Sequence, residues 1–331
     1  MTERKYDPDL QAILPFLPTV SDFSSLDKIL EIREMRAGGF GGQPPPPPHP
    51  DVLREDRSVP GPAGAPEVPI RIYRRKNGAS GPRPGVFEIH GGGFLIGSKE
   101  MMDPWCDRLV AELDIVVVSV DYRLAPEHPF PAGVEDCYAA LSWTAENSAA
   151  LNLDPERLAI AGQSAGGGLA AGCALMARDR KGPPLCFQLL EIPELDDRLE
   201  TPSMKQFTDT PLWNRPNAEW SWRHYLGPDH TGEVSPYAAP SRATDLSNLP
   251  PAYVSTMEFD PLRDEGILYG LALMQAGVPV ELHNYAGTFH GSGLVPHATP
   301  SRRNSLEVFE VLARGLGLPS PSSAALDGKA D

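Results

Sequence analysis

Clustered positive charge is what this sequence most lacks. Its 331 residues carry 29 Lys and Arg against 44 Asp and Glu, a formal net charge of −15, and no basic run is longer than the three residues Arg74, Arg75 and Lys76. Such a chain repels phosphate backbones, which argues against a nucleic-acid partner. Cysteine is also scarce. Cys106, Cys137, Cys173 and Cys186 are scattered, with no C-x-x-C pair. They read as reduced, small hydrophobes in a reducing compartment, so a cytoplasmic location is expected. The opening stretch MTERKYDPDL has no apolar h-region, so no secretory signal is expected. Neither H-E-x-x-H nor a Cys/His zinc spacing occurs, and no G-x-G-x-x-G or P-loop lysine is found. No metal and no cofactor are therefore expected.

Long apolar runs are missing except at residues 158–177, twenty positions without a charge. Five of them are Gly, with Gln163 and Ser164 among them. The flanks read as a strand entering a helix, so a buried strand–turn–helix is expected and no membrane contact.

Helix and strand breakers, by contrast, are plentiful: 37 Pro and 31 Gly. Hydrophobic residues at 41% and charged residues at 22% are nevertheless ordinary for a globular protein. Residues 7–17 and 24–35 show amphipathic helical patterns, with Asp7 and Ser24 as candidate N-caps. Residues 37–50, AGGFGGQPPPPPHP, read as a stiff polyproline connector rather than an SH3-type ligand.

From about residue 51 the hydrophobic period alternates between strand and helix. Strands are expected at 51–59, 67–75, 85–90, 115–120, 157–161, 185–192, 252–257 and 278–285. Helices are expected at 104–113, 133–146, 166–178, 264–276 and 301–315. This predicts an α/β fold with a mainly parallel sheet covered on both faces. Residues 193–249 break the rhythm and carry Trp213, Trp220 and Trp222, and the tail from 319 reads as frayed.

Chemistry concentrates where strands end. Gly162-Gln163-Ser164-Ala165-Gly166 fits G-x-S-x-G between a strand and a helix, the setting of a nucleophile elbow. His90-Gly91-Gly92-Gly93-Phe94 follows another strand. Its glycines leave backbone N–H groups unobstructed, so Gly92, Gly93 and Ala165 are the candidate oxyanion donors. In the order Ser, Asp, His, the acid is Asp260, in the loop after the 252–257 strand, and the base is His290, after the last strand. Glu258 and Asp264 stand as alternatives to the acid. His283 reads as a structural strand residue and His297 has no motif around it.

At these residues the sequence resembles the hormone-sensitive-lipase-like family of α/β-hydrolase esterases. The resemblance rests on HGGGF at 90–94, DYRLAPEHPFPA at 121–132, GQSAGGG at 162–168, DPLRDEG at 260–266 and GTFHG at 287–291. It spans about residues 70–310, and EIPELDDRLET at 191–201 and DTPLWNRPNA at 209–218 narrow it to acetyl esterases. It implies Ser164 as nucleophile, Asp260 as acid, His290 as base and the same three oxyanion donors. It also implies short-acyl ester substrates, with water as the second reactant.

The implied organisation is N-terminal cap helices and connector at 1–50, a catalytic domain at 51–192 and 236–318, a cap insertion at 193–235 and a tail at 319–331. A homodimer through the last strand and nearby helix rests on the resemblance alone. Phe94, Gln163 and Trp213 are the candidate substrate contacts. The insertion's other rings either wall a pocket or fill the cap's own core. Two departures stand out: Gln163 replaces the family's Asp beside the nucleophile, and Ser292 replaces a Phe after His290-Gly291. A small-amide deacylase or formamidase is served by the same triad, and a ligand receptor by the same fold.

Overall fold

The computed structural model describes residues 4–17, 21–37, 46–78 and 80–320. Eight strands form one sheet: β1 (Val52–Val59), β2 (Val68–Arg75), β3 (Arg83–Ile89), β4 (Val116–Val120), β5 (Leu153–Gln163), β6 (Phe187–Glu191), β7 (Ala252–Phe259) and β8 (Val280–Phe289). Their order is β1-β2-β4-β3-β5-β6-β7-β8. β2 runs antiparallel to both β1 and β4, and every later pairing is parallel. The helices are α1 (Pro8–Gln11), α2 (Leu26–Ala37), α3 (Asp103–Leu113), α4 (Ala132–Glu146), α5 (Ser148–Leu151), α6 (Ala165–Asp179), α7 (Pro202–Gln206), α8 (Arg215–Leu226), α9 (Arg263–Gln275) and α10 (Thr299–Gly315). This is the mainly parallel, helix-covered sheet that the alternating periods predict, in the α/β-hydrolase architecture that the resemblance implies.

The pleat decides which residue feeds which core. Phe87, Val118, Ile160 and Val254 enter the larger core under α4, α6 and α9. Their strand neighbours Val86, Val117, Ala159 and Tyr253 face the opposite core under α3 and α10. The central strand β4 is buried throughout, which explains its unbroken VVVSV.

The charge-free stretch 158–177 divides into the end of β5 and the first thirteen residues of α6, every one of which is buried. A helix wrapped on all sides is apolar all round without meeting lipid. Among the described residues no helix is long and apolar enough to cross a membrane.

The N-terminal pattern resolves differently from its periodicity. The expected helix over 7–17 becomes α1 and a 3₁₀ turn at Leu14–Phe16, because Pro15 has no N–H for a continuing helix. Asp7 caps α1 by accepting the Asp9 N–H. Before α2 the cap shifts by one residue. Ser24 is held by Asp22, and Ser25 Oγ takes the Lys28 N–H. Pro44 and Pro45 of the proline run, and the tail from 321, lie outside the described residues. Pro46–Pro48 are exposed, and the backbone after them is pinned where the His49 N–H meets Asp107 on α3 at 2.7 Å.

Candidate active site

The parallel strands end along one rim, and the chemistry-bearing loops leave from it. β5 stops at Gln163 and α6 starts at Ala165, so the whole reversal falls on Ser164, at φ +57° and ψ −123°. A non-glycine residue there is strained and must be held by its surroundings. Ser164 N–H donates to the Glu191 carbonyl at 2.9 Å, and its own carbonyl accepts from Gly168 and Glu194 N–H at 3.0 Å each.

Parallel register brings the other two residues together. Phe259 and Phe289 are partners on β7 and β8, so the following residues, Asp260 and His290, leave the sheet side by side. His290 Nδ1 lies 2.7 Å from Asp260 Oδ2, and Nε2 lies 3.0 Å from Ser164 Oγ. The carboxylate can only accept, so the imidazole proton sits on Nδ1 and the Nε2 lone pair faces the serine hydroxyl. Asp260 is fully buried, and its other oxygen accepts the Leu262 N–H at 2.9 Å.

The remaining candidates have other partners. Glu258 accepts the Gly287 N–H, Asp264 caps Ser203, and His283 pairs with Glu307. Among the described residues no group of three or more His, Cys, Asp or Glu is placed to hold a metal ion.

The glycine loop after β3 closes over the serine. Gly92 has φ +123°, and a Cβ there would stand 1.9 Å from the Ile96 carbonyl oxygen, so no side chain fits. The Gly92, Gly93 and Ala165 N–H groups have no acceptor among the described residues. The loop is braced from below. Ala125 N–H reaches the Phe94 carbonyl at 3.0 Å, and Tyr122 OH donates to the His90 carbonyl. The His90 ring is stacked on Tyr122, and burial pushes its pKa down, leaving it neutral. Within the DYRLAPEHPFPA segment, Arg123 is clamped by Asp136 at 2.7 Å.

The three candidate substrate contacts have different surroundings. Phe94 is buried, stacked on Tyr225 at 3.9 Å and tilted against Trp222. Trp213 reaches further in, with its ring 5.9 Å from that of His290 and its Cη2 edge against Gly93. Gln163 turns away from both. It donates to Glu191 at 3.0 Å and lines a cavity of about 820 Å³ between α3 and α10, shared with Trp105, Met257, Gly291 and Leu294.

The insertion's rings divide likewise. Trp222 and Tyr225 pack behind the oxyanion loop, whereas Phe207 meets Phe259 and Trp220 stacks on His224.

Several site residues carry no sequence motif. Arg33 of α2 donates to the Leu95 and Ala125 carbonyls and pairs with Glu127, tying the N-terminal helix to the glycine loop. Below the rim, burial and the neighbouring Glu191 push the Glu88 carboxyl up to about 8, and burial raises Glu191 as well. Glu194 and Ser221 stand behind Gly93. The hint of them in the sequence is an acid three residues after an apolar strand.

Comparison with known proteins bears on the family and the fold. Residues 86–293 match a family model described as alpha/beta hydrolase fold. The chain is 41% identical over 314 residues to Esterase LipI of Mycobacterium tuberculosis, covering 93% of this chain and 96% of that protein. It is 41% identical over 293 residues to Carboxylesterase NlhH of the same organism, covering 86% and 88% of the two chains. Among solved structures, Bacterial Heroin Esterase superposes with a TM-score of 0.89 at 51% identity, covering 96% of this chain and 99% of that one. The chain belongs to the hormone-sensitive-lipase-like esterases of the α/β-hydrolase family.

Proposed function

We propose that in this carboxylic-ester hydrolase Ser164 is the nucleophile, His290 the general acid–base and Asp260 the residue that orients it. The observation that carries the assignment is the continuous chain from Asp260 Oδ2 through His290 to Ser164 Oγ, at 2.7 and 3.0 Å. His290 Nε2 takes the hydroxyl proton as Oγ bonds to the ester carbonyl carbon. The oxyanion that forms is met by the Gly92, Gly93 and Ala165 N–H groups, each worth on the order of a hundred- to a thousand-fold in rate. The C–O bond to the alcohol then breaks, and the alcohol leaves with the proton from His290. A water molecule, deprotonated by the same imidazole, attacks the acyl-enzyme and releases the acid.

The substrate class is a small ester with a short, acetyl-type acyl group. Trp213 closing on Gly93 supports it, because little room is left beside the oxyanion loop for a long chain. The name of the heroin esterase relative agrees. Helix α2 and the insertion carrying α7 and α8 act as a cap, supported by their shared apolar cluster of Phe23, Ile29, Met204, Trp213 and Ala218 over Leu95 and Ile96. Four free cysteines support a cytoplasmic location. The free edge of β8 with α10 is the surface for a homodimer.

The deciding experiment is hydrolysis of aryl esters of increasing chain length by the wild type and Ser164→Ala. Activity concentrated on acetate and propionate esters and abolished by the substitution is expected. Turnover by folded Ser164→Ala overturns the nucleophile, and a preference for long triglycerides overturns the substrate class.

A further inference from the structure

Glu194 is a buried acidic side chain behind the oxyanion loop that the reaction as written does not use. It lies three residues beyond β6, and its N–H holds the Ser164 carbonyl at 3.0 Å. Its carboxyl is fully buried, and neither oxygen is in a well-formed hydrogen bond among the described residues. Beside it is the hydroxyl of Ser221 on α8, which sends its own proton to the Gly93 carbonyl at 2.9 Å. Gly93 is thus held by Ser221 and the Trp213 edge together, both on the face where a Cβ would stand.

We propose that Glu194 is a positioning residue for the oxyanion loop: as a neutral acid it donates to Ser221 Oγ and so keeps the Ser221 proton on the Gly93 carbonyl. Ionised, the same carboxyl is an acceptor only and draws that proton to itself. Gly93 then loses its donor, and the N–H of the same residue is no longer held toward the reacting oxygen.

The groups facing Glu194 favour the acid form. They are Asp260 after β7, Glu265 on α9, Tyr122 after β4 and Tyr225 on α8, none of them a cation. Burial pushes the Glu194 carboxyl up to about 8, against a smaller opposite pull from the Ser221 hydroxyl and with Asp260 adding to the rise. The relay is therefore intact at neutral pH and lost as pH rises through that value.

The inference rests on Gly93 being an oxyanion donor, and the test separates the two. The kcat of aryl acetate hydrolysis is measured from pH 6 to 9.5 for the wild type, Glu194→Gln, Glu194→Ala and Ser221→Ala, with fluorophosphonate labelling of Ser164 in each. The wild type is expected to lose about fivefold in kcat on the alkaline side, with KM little changed. Glu194→Gln, whose amide N–H donates at every pH, keeps the activity and loses the alkaline fall. Glu194→Ala and Ser221→Ala have low kcat already at pH 7 and no further fall.

A wild-type kcat flat to pH 9.5 overturns the proposal. So does an alkaline fall retained by Glu194→Gln, or an unchanged kcat at pH 7 in Ser221→Ala. Absent labelling at Ser164 in the wild type overturns the nucleophile assignment instead.

Discussion

Gly162 and Gly166 close on each other across the turn that presents Ser164: a Cβ on Gly162 would stand 2.2 Å from the Gly166 carbonyl oxygen. That oxygen is backbone at the start of α6 and cannot move aside as a flexible side chain would. Gly162→Ala is therefore expected to shift the elbow, destabilising the fold by about 1–3 kcal/mol. An Oγ displaced by about 1 Å lowers kcat about a hundredfold. Thermal melting and steady-state kinetics on the purified variant check both.

Asp260 holds one tautomer of His290. An Asn in its place can offer an N–H toward Nδ1, which moves the imidazole proton to Nε2 and turns the base into a donor facing Ser164. Asp260→Asn is expected to fold normally and lose about ten-thousand-fold in kcat. An unchanged circular dichroism spectrum beside a kinetic trace near background is the expected pair of results.

Trp213 sets the depth of the acyl side. Replacing it with Ala opens space beside Gly93 and the His290 ring, where two further methylenes can be buried at about 0.8 kcal/mol each. The ratio of kcat/KM for butyrate over acetate esters should rise about tenfold. A ratio that stays put would place the acyl group elsewhere.

Glu88 gives stability a pH dependence of definite sign. Its carboxyl is raised to about 8 in the folded protein, chiefly by burial and then by Glu191. The native state therefore binds more protons than the unfolded chain, and ∂ΔG/∂pH is negative across that interval. Its contribution is complete below about pH 4.5 and is lost as pH rises through about 8. Glu88→Gln can still accept the Trp105 indole N–H without carrying charge. Its Tm should exceed the wild type's by about 2–4 °C at pH 9 and converge with it at pH 5.

Much of the architecture was legible because it is written locally. The run IVVVSV can only be a strand buried on both faces, and β4 sits inside the sheet. The apolar run of α6 read as strand, turn and helix because glycines mark where a chain can reverse. Periodicity failed at the N-terminus, where Pro15 cuts a helix that the apolar spacing alone would extend. Of the candidate contacts, Phe94 and Gln163 adjoin the site motifs, whereas Trp213 belongs to the aromatic-rich insertion. The pleat sends Gln163 away from the other two, to Glu191 and the cavity between α3 and α10.

By itself the sequence determined the alternation of elements, the burial of each strand face and the Ser164 turn, since each depends on residues within a few positions of one another. Only the tertiary structure decided that Asp260 and His290 stand 2.7 Å apart, through the pairing of Phe259 with Phe289. It alone placed Ser221, 128 residues along the chain from Gly93, on that carbonyl, and brought the buried Glu194 carboxyl beside it. Distances of this kind are set by strand register and helix packing, which sum many weak contacts from distant parts of the chain and leave no local pattern to read.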